Sequence, residues 1–403
     1  MSGPLENLRI VDLSRIVAGP LATQILSDYG AEVIKVEHPH GGDDSRQWAP
    51  PRAPDGQASY FFAVNRGKRS ITIDLKHPRG KAVFLDLARR GDVLIENFKP
   101  GTMDDLGLGW ATLRGVNPRL VYCSISGFGA TGPYRERAGY DAIMQGFTGL
   151  MSITGDRDGA PVKVGVALID VITALYAHGA ILAALRHRDR TGHGQHLDLS
   201  LMECGIAGLI NAATGYLVGG DVQGRWGSAH PSLVPYQAFR ARDGYLMVGA
   251  GNERLWKAFC EVLGAPEWAD DPRYGSNARR VACRAELVRE IEARLQARDR
   301  DDWVARFAEA GLAVGPINDI GQVFDDPQVQ HREMAVEVDH PTAGRVRLPG
   351  IPVKFRGTPA AVQGPPPNHG QHTDDVLRDV LELSPAAITE LRASGALGAP
   401  AAV

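Results

Sequence analysis

Cysteine is scarce. The 403 residues contain four, Cys123, Cys204, Cys260 and Cys283, widely spaced and without a CxxC pair. That argues against a metal site built on paired thiolates and against a disulfide framework, and it fits a reduced, cytoplasmic protein. Charge of one sign is also lacking: the formal net charge is −3, so there is no basic field of the kind nucleic-acid binding requires. The N-terminus, Met1-Ser2-Gly3-Pro4-Leu5-Glu6, carries neither a charged region followed by an apolar core nor an Arg-rich amphipathic presequence. The longest apolar segment, 171–185, contains His178 and ends in Arg186-His187-Arg188. It falls short of the roughly 20 residues that span a bilayer and reads as a core helix, with no membrane partner. No G-x-G-x-x-G follows the first strand, where the turn is Ser14-Arg15-Ile16-Val17-Ala18-Gly19-Pro20, which argues against a nicotinamide enzyme using Glu37 as ribose acceptor. No G-x-x-x-x-G-K-[ST] occurs either.

What is present is globular. Hydrophobic content of 44% and charged content of 23% are ordinary, and the length predicts two or more domains. The first 130 residues alternate strand and helix signals. Leu8–Leu13, Glu32–Glu37, Ser70–Leu75, Val93–Glu96 and Leu120–Ile125 read as strands; Leu21–Tyr29, closed by Gly30, and Pro78–Arg90, closed by Gly91, read as helices. This is the pattern of an α/β fold with a parallel sheet, whose ligand site lies beyond the carboxyl ends of the strands. Residues 215–232 turn Gly-rich and polar and predict a linker. Beyond it, a hairpin about Arg242-Asp243-Gly244 and helices near 253–264 and 285–311 are expected. A proline-rich crossing, Gly364-Pro365-Pro366-Pro367, leads to a last helical segment.

The stretch Val164-Gly165-Val166-Ala167-Leu168-Ile169-Asp170 ends an apolar, strand-like run in one carboxylate, and a mostly apolar helix follows. Asp170 is therefore expected at a strand-to-helix junction, held anionic by the helix dipole. It is either a helix cap or a carboxylate nucleophile. Asn65-Arg66-Gly67-Lys68-Arg69-Ser70 and Glu96-Asn97-Phe98-Lys99-Pro100-Gly101 place cations and a side-chain amide beside strands, as a polyphosphate ligand requires and as a solvated surface also permits. Gly249-Ala250-Gly251-Asn252 is a small-residue turn that either brings backbone N–H groups to an oxyanion or is an ordinary turn.

Taken in order, several segments resemble the class III CoA-transferases, a family that also includes formyl-CoA transferase, carnitine CoA-transferase and α-methylacyl-CoA racemases. They are Val11-Asp12-Leu13 with Ala18-Gly19-Pro20, Gly30 to Glu37, Asn65 to Ser70, Glu96 to Gly101, Gly139-Tyr140-Asp141, Asp170, and Thr191-Gly192-His193-Gly194-Gln195. The resemblance implies a Rossmann-like parallel-sheet large domain plus a smaller α/β domain in an interlocked homodimer. The large domain would span 1–204 and be completed by about 365–403. A linker over 205–230, a small domain over 231–340 and a return linker over 341–364 complete the expectation. It implies a coenzyme A thioester as substrate and no tightly bound cofactor or metal.

By the same resemblance, Asp170 is the acyl-carrying nucleophile, with Tyr140 and Asp141 beside it. The racemases of the family carry a histidine where this chain has Tyr140, so transfer is favoured over racemisation, and a non-catalytic thioester-binding role is the other alternative. Formyl-CoA transferases have a histidine and a glutamine where this chain has Arg15 and Val17. Positions where family members hold an arginine are His38 and Asp105 here, so Arg46, Lys68, Arg69 and Lys99, with Asn97 and Phe98, are the expected CoA contacts. The run from Arg225 to Phe239, with Gly149–Gly155 and Gly315–Asn318, is similar to the dicarboxylate branch of the family, which hands CoA from succinyl-CoA to acids such as glutarate. A distal carboxylate needs a cation, and Arg15, Arg225 and His230 are the candidates. Arg225 and His230 equally well brace the linker.

Overall fold

The computed structural model describes residues 3–399, which fall into two compact units. The first takes the described residues up to Leu150, Lys163–Asp221 and the described residues from Gln328 onward; the second takes Met151–Val162 and Val222–Pro327.

The first unit is built on six parallel strands: β1 (Arg9–Asp12), β2 (Glu32–Glu37), β3 (Lys68–Thr72), β4 (Val93–Glu96), β5 (Val121–Ser126) and β6 (His196–Ser200). They lie in the order β3-β2-β1-β4-β5-β6, the doubly wound Rossmann order. The inner strands β1, β2, β4 and β5 carry apolar residues on both faces because both faces are covered. Alternate residues point opposite ways. Val11, Ile34, Ile71 and Leu94 meet one layer, with α3 (Pro78–Arg90) and the C-terminal helices Thr373–Asp379 and Pro385–Ala393. Ile10, Val33, Ile95 and Cys123 meet the other, which holds α1 (Ala18–Asp28) and the long helix described next. The α3 boundaries follow from local chemistry: Pro78 opens the helix, Arg89 and Arg90 sit in its last turn, and Gly91 closes it.

Several expectations need correction. The strand-like run before Asp170 is not a strand. Residues 164–167 form an irregular loop, and the helix Leu168–Thr191 already contains Asp170 in its first turn. Its 24 residues exceed the expected core segment, and by length and apolarity it qualifies as a candidate membrane span. Here Ile169, Thr173, Ala174, Ala177, Ile181 and Ala184 of that helix pack into the second core layer. The supposed linker near 215–232 is helical up to Gly219.

Before that helix come the short segments α2 (Ser59–Phe62), α4 (Thr102–Asp105), α5 (Trp110–Val116) and α6 (Asp141–Phe147). The long helix is α7, and α8 (Leu201–Ala207) and α9 (Ile210–Gly219) follow β6.

The second unit has its own core, with Trp256, Phe259, Tyr274, Trp303 and Phe307 packed as aromatic pairs. Its strands β7 (Tyr236–Arg240) and β8 (Tyr245–Gly249) form the expected hairpin, and β9 (Ala313–Pro316) pairs with β8. The single helix expected over 285–311 is two, Arg284–Leu295 and Arg300–Glu309.

Candidate active site

Asp170 lies on the first turn of α7, 8% exposed, and lines a cavity of about 340 Å³ at the carboxyl ends of β1, β4 and β5. Arg15, Val17, Asn97, Phe98, Lys99, Tyr140 and Asp141 line the same cavity, so eight of the residues singled out in the sequence meet there.

The first turn of a helix leaves backbone N–H groups without partners. Ala167, at the N-cap of α7, has no side chain to satisfy them. Asp141 does so from the start of α6: its Oδ1 accepts from the N–H of Ile169 at 2.7 Å and of Asp170 at 3.3 Å. The capping role considered for Asp170 therefore belongs to Asp141. The Asp170 carboxylate accepts no hydrogen bond from any described residue. Burial, and then the Asp141 charge, push it up to about 7 from the ordinary 3.8. Asp170 is thus not held anionic by the helix end as expected; desolvation and a like charge outweigh the dipole.

Gln145, fully buried on α6, completes the arrangement. Its Nε2 donates to Asp141 Oδ2 at 2.6 Å and to the Val166 carbonyl at 3.2 Å, and its Oε1 accepts from the Val164 N–H at 2.8 Å. Tyr60, on α2, has its hydroxyl pushed up by burial and by the charges of Asp170 and Asp141. Sequence reasoning missed both residues, because neither sits in a motif and each acts only through a fold contact.

The wall opposite is made by the turn after β1. Asn97 clamps it: its Oδ1 accepts from the Arg15 N–H and its Nδ2 donates to the Arg15 carbonyl, both at 2.8 Å. Ile16 adopts φ +73°, a left-handed conformation costly for a β-branched residue. The Asp43 carboxylate holds it there by accepting the Ile16 N–H at 3.1 Å. Asp43 itself is anchored by Lys35 Nζ at 2.9 Å, and the ammonium brings it to about 2 despite burial. Arg15 pairs with Asp44 at 3.1 Å and lies over the Phe98 ring, while Lys99 pairs with Glu136 at 2.8 Å. Tyr140 is 60% exposed, so its ring stands out of the core at the cavity's edge.

Three of the expected CoA contacts are taken by carboxylates of the first unit. Lys68 is fully buried and bonds Asp12 Oδ2 at 3.0 Å, the Pro20 carbonyl and Asn65 Oδ1. Burial brings its ammonium down to about 8 against the pull of Asp12. Arg46 forks onto Glu37 at 2.7 and 2.8 Å and stacks on Phe61; Arg69 bonds Glu32 at 2.7 Å. These cations looked available in the sequence because a cation beside a strand end reads alike whether buried or solvated. A larger cavity of about 550 Å³ beside the ends of β1, β2 and β3 is lined instead by His38, His40 and Lys76, with Arg15, Asp44 and Phe98 common to both cavities.

The remaining predicted residues belong to the second unit. Arg225 donates to the carbonyls of Asp156 and Gly159 at 3.1 and 2.6 Å. His230 stacks flat on Tyr236, and its Nδ1 accepts from the Ser232 N–H. Each of these contacts lies within the second unit. Gly249 ends β8 where a Cβ would stand 3.0 Å from the Tyr236 ring; Ala250 is buried, Gly251 exposed, and Asn252 caps the helix Glu253–Leu263.

A Rossmann-ordered sheet with a carboxylate of near-neutral titration on a helix start fits an enzyme of acyl-group chemistry. Residues 5–373 match the model of CoA-transferase family III, and the chain belongs to that family of CoA-transferring enzymes. It is 45% identical over 394 residues to the succinyl-CoA:glutarate CoA-transferase of Mus musculus, spanning 98% of this chain and 90% of that protein. It is 44% identical to the succinate–glutarate CoA-transferase of Agrobacterium fabrum, spanning 94% and 96%. Among solved structures, a CaiB/BaiF family protein from Brucella suis superposes with a TM-score of 0.87 at 42% identity, covering 94% of this chain and all of that one.

Proposed function

We propose that this enzyme moves CoA from succinyl-CoA, or a similar acyl-CoA, to a small dicarboxylate such as glutarate through an aspartyl-CoA thioester on Asp170. A carboxylate oxygen of Asp170 attacks the donor thioester carbonyl, the C–S bond breaks, and a mixed anhydride and CoA thiolate result. The thiolate attacks the Asp170 acyl carbon, releasing succinate and leaving the aspartyl thioester. The acceptor carboxylate attacks that thioester and expels the thiolate, which then takes the acceptor acyl group and frees Asp170. No phosphoryl donor is consumed, because one thioester becomes another.

The observation that carries this reading is the buried Asp170 carboxylate, without a protein donor and beside the Asp141 charge. Such surroundings penalise the anion more than the neutral anhydride or thioester, so they favour acylation. In this reading the thioester end of CoA enters the Asp170 cavity. The nucleotide end runs past Phe98 toward His38, His40 and Lys76, and Arg15 or Lys99 takes the far carboxylate of the acceptor. The acyl-CoA is a substrate, and no resident cofactor or metal takes part. The apolar side chains exposed on α9, Ile210, Tyr216, Leu217 and Val218, support a homodimer; its interlocked form, a cytoplasmic setting and the lack of nucleic-acid or membrane partners rest on the sequence alone.

The test is a panel of dicarboxylic and monocarboxylic acids offered with succinyl-CoA, product thioesters being read by mass spectrometry in deuterated buffer. Transfer to five-carbon dicarboxylates, with hydroxylamine trapping at Asp170 and none in Asp170→Ala, is expected. Near-native transfer by Asp170→Ala, or α-deuteration without transfer, would overturn the reading.

A further inference from the structure

We propose that Gln145 is a positioning residue for the transfer: its amide holds Asp141 and the 164–166 loop in the arrangement that presents Asp170 to the cavity. The inference rests on Asp170 being the nucleophile.

A buried glutamine is often just a loop staple, satisfying backbone groups that would otherwise be stranded. Gln145 does that for Val164 and Val166, but its shortest bond, 2.6 Å, goes to the carboxylate that caps α7. Asp141 thus has one oxygen spent on the α7 N–H groups and the other on Gln145. With both oxygens engaged, its rotamer is fixed, and with it the first turn that carries Asp170. The choice of amide matters. A lysine or arginine here would neutralise Asp141 and remove the like charge that Asp170 faces, whereas a neutral donor leaves that charge standing. The titratable groups around the network are Asp141 of α6, Asp170 of α7, Tyr60 of α2 and Cys204 of α8, with Lys163 on the exposed side of the loop, where its Nζ bonds the Val164 carbonyl, and Arg15, Asp44, Lys99, Glu136, Arg137 and Tyr140 sharing the cavity with Asp170. Cys204 is pushed up by burial and stays a neutral thiol.

Two variants of the full-length enzyme test this. Gln145→Leu removes every polar atom of the side chain; it should lower kcat at least about tenfold while the KM for acyl-CoA stays within about threefold. The exchange Asp141→Asn with Gln145→Glu restores the donor–acceptor pair between the two side chains and keeps an acceptor for the Val164 N–H, gives up the weaker bond to the Val166 carbonyl, and moves the charge one side chain further from Asp170. It should recover most of the lost kcat and shift the acid limb of the kcat–pH profile down by about half a pH unit or more. An exchange variant that stays at the Gln145→Leu level of kcat with a native melting temperature, or a limb left unmoved, overturns the proposal. So does a Gln145→Leu enzyme of native melting temperature and near-native kcat; if Gln145→Leu fails to fold, the exchange variant alone decides. Hydroxylamine mapping runs alongside: failure to label Asp170 in the wild type indicts the nucleophile, whereas normal labelling with unchanged variant profiles indicts Gln145 alone.

Discussion

Replacing Asp170 with asparagine should abolish transfer and at the same time stabilise the protein at alkaline pH. The folded chain keeps the Asp170 proton up to about pH 7, whereas the unfolded chain releases it near 3.8. Between those values the folded state binds more protons, so this group's contribution to stability falls as pH rises through the interval. At about 1.4 kcal/mol per pH unit, the full penalty is on the order of 4 kcal/mol above pH 8. The group is well buried, so screening by solvent removes little of it. Asparagine keeps the shape and cannot ionise. Thermal melts of wild type and Asp170→Asn across pH 4 to 9 should therefore show nearly equal stability at the acid end. The gap should open steadily between about pH 4 and 7 and plateau beyond, with the variant the more stable. A gap independent of pH, or a variant less stable than wild type at pH 8, would refute the burial-and-repulsion account. Activity provides the matching observation, since the acid limb of kcat/KM should fall near pH 7 where Asp170 ionises.

Other perturbations probe the surrounding structure. Lys68→Met leaves Asp12 buried without its ammonium and should cost about 3–5 kcal/mol in denaturant titrations; the CoA affinity of the protein that still folds should be unchanged. Gly194→Ala would place a Cβ 2.0 Å from the Leu120 carbonyl oxygen, so β6 cannot dock unaltered and the melting temperature should drop by several degrees. Tyr140→Phe removes an exposed hydroxyl, so melting should not change, and any loss of kcat reports the hydroxyl's part in the reaction. Lys76→Ala should raise the KM for acyl-CoA several-fold with little change in kcat, if the larger cavity holds the nucleotide end.

Much of the first unit was legible from local chemistry. Glu32–Glu37, Val93–Glu96 and Pro78–Arg90 have the predicted bounds because apolar strands, an N1 proline and a closing glycine act locally. The loop before Asp170 was not legible. Val164-Gly165-Val166 has strand-like composition, but Gln145 takes backbone groups of Val164 and Val166 that a strand would have offered to the sheet. The cations divided for a similar reason. Lys99 and Arg15 reach the cavity, whereas Arg46 turns back on Glu37 nine residues before it, and Lys68 answers to Asp12, a carboxylate 56 residues away that only the folded sheet brings to it. Asp170 was identifiable by its motif, but its titration was not, since that depends on which side chains close over it.

The proposed nucleophile rides on the longest of the described helices, a rod of about 36 Å packed against the sheet, whereas the cavity facing it is furnished largely by turns after strands. Turns accept insertion and exchange far more readily than a packed rod does. A lineage built on this plan can retune which acid it accepts by editing loop tips, and the reacting atom need not move at all.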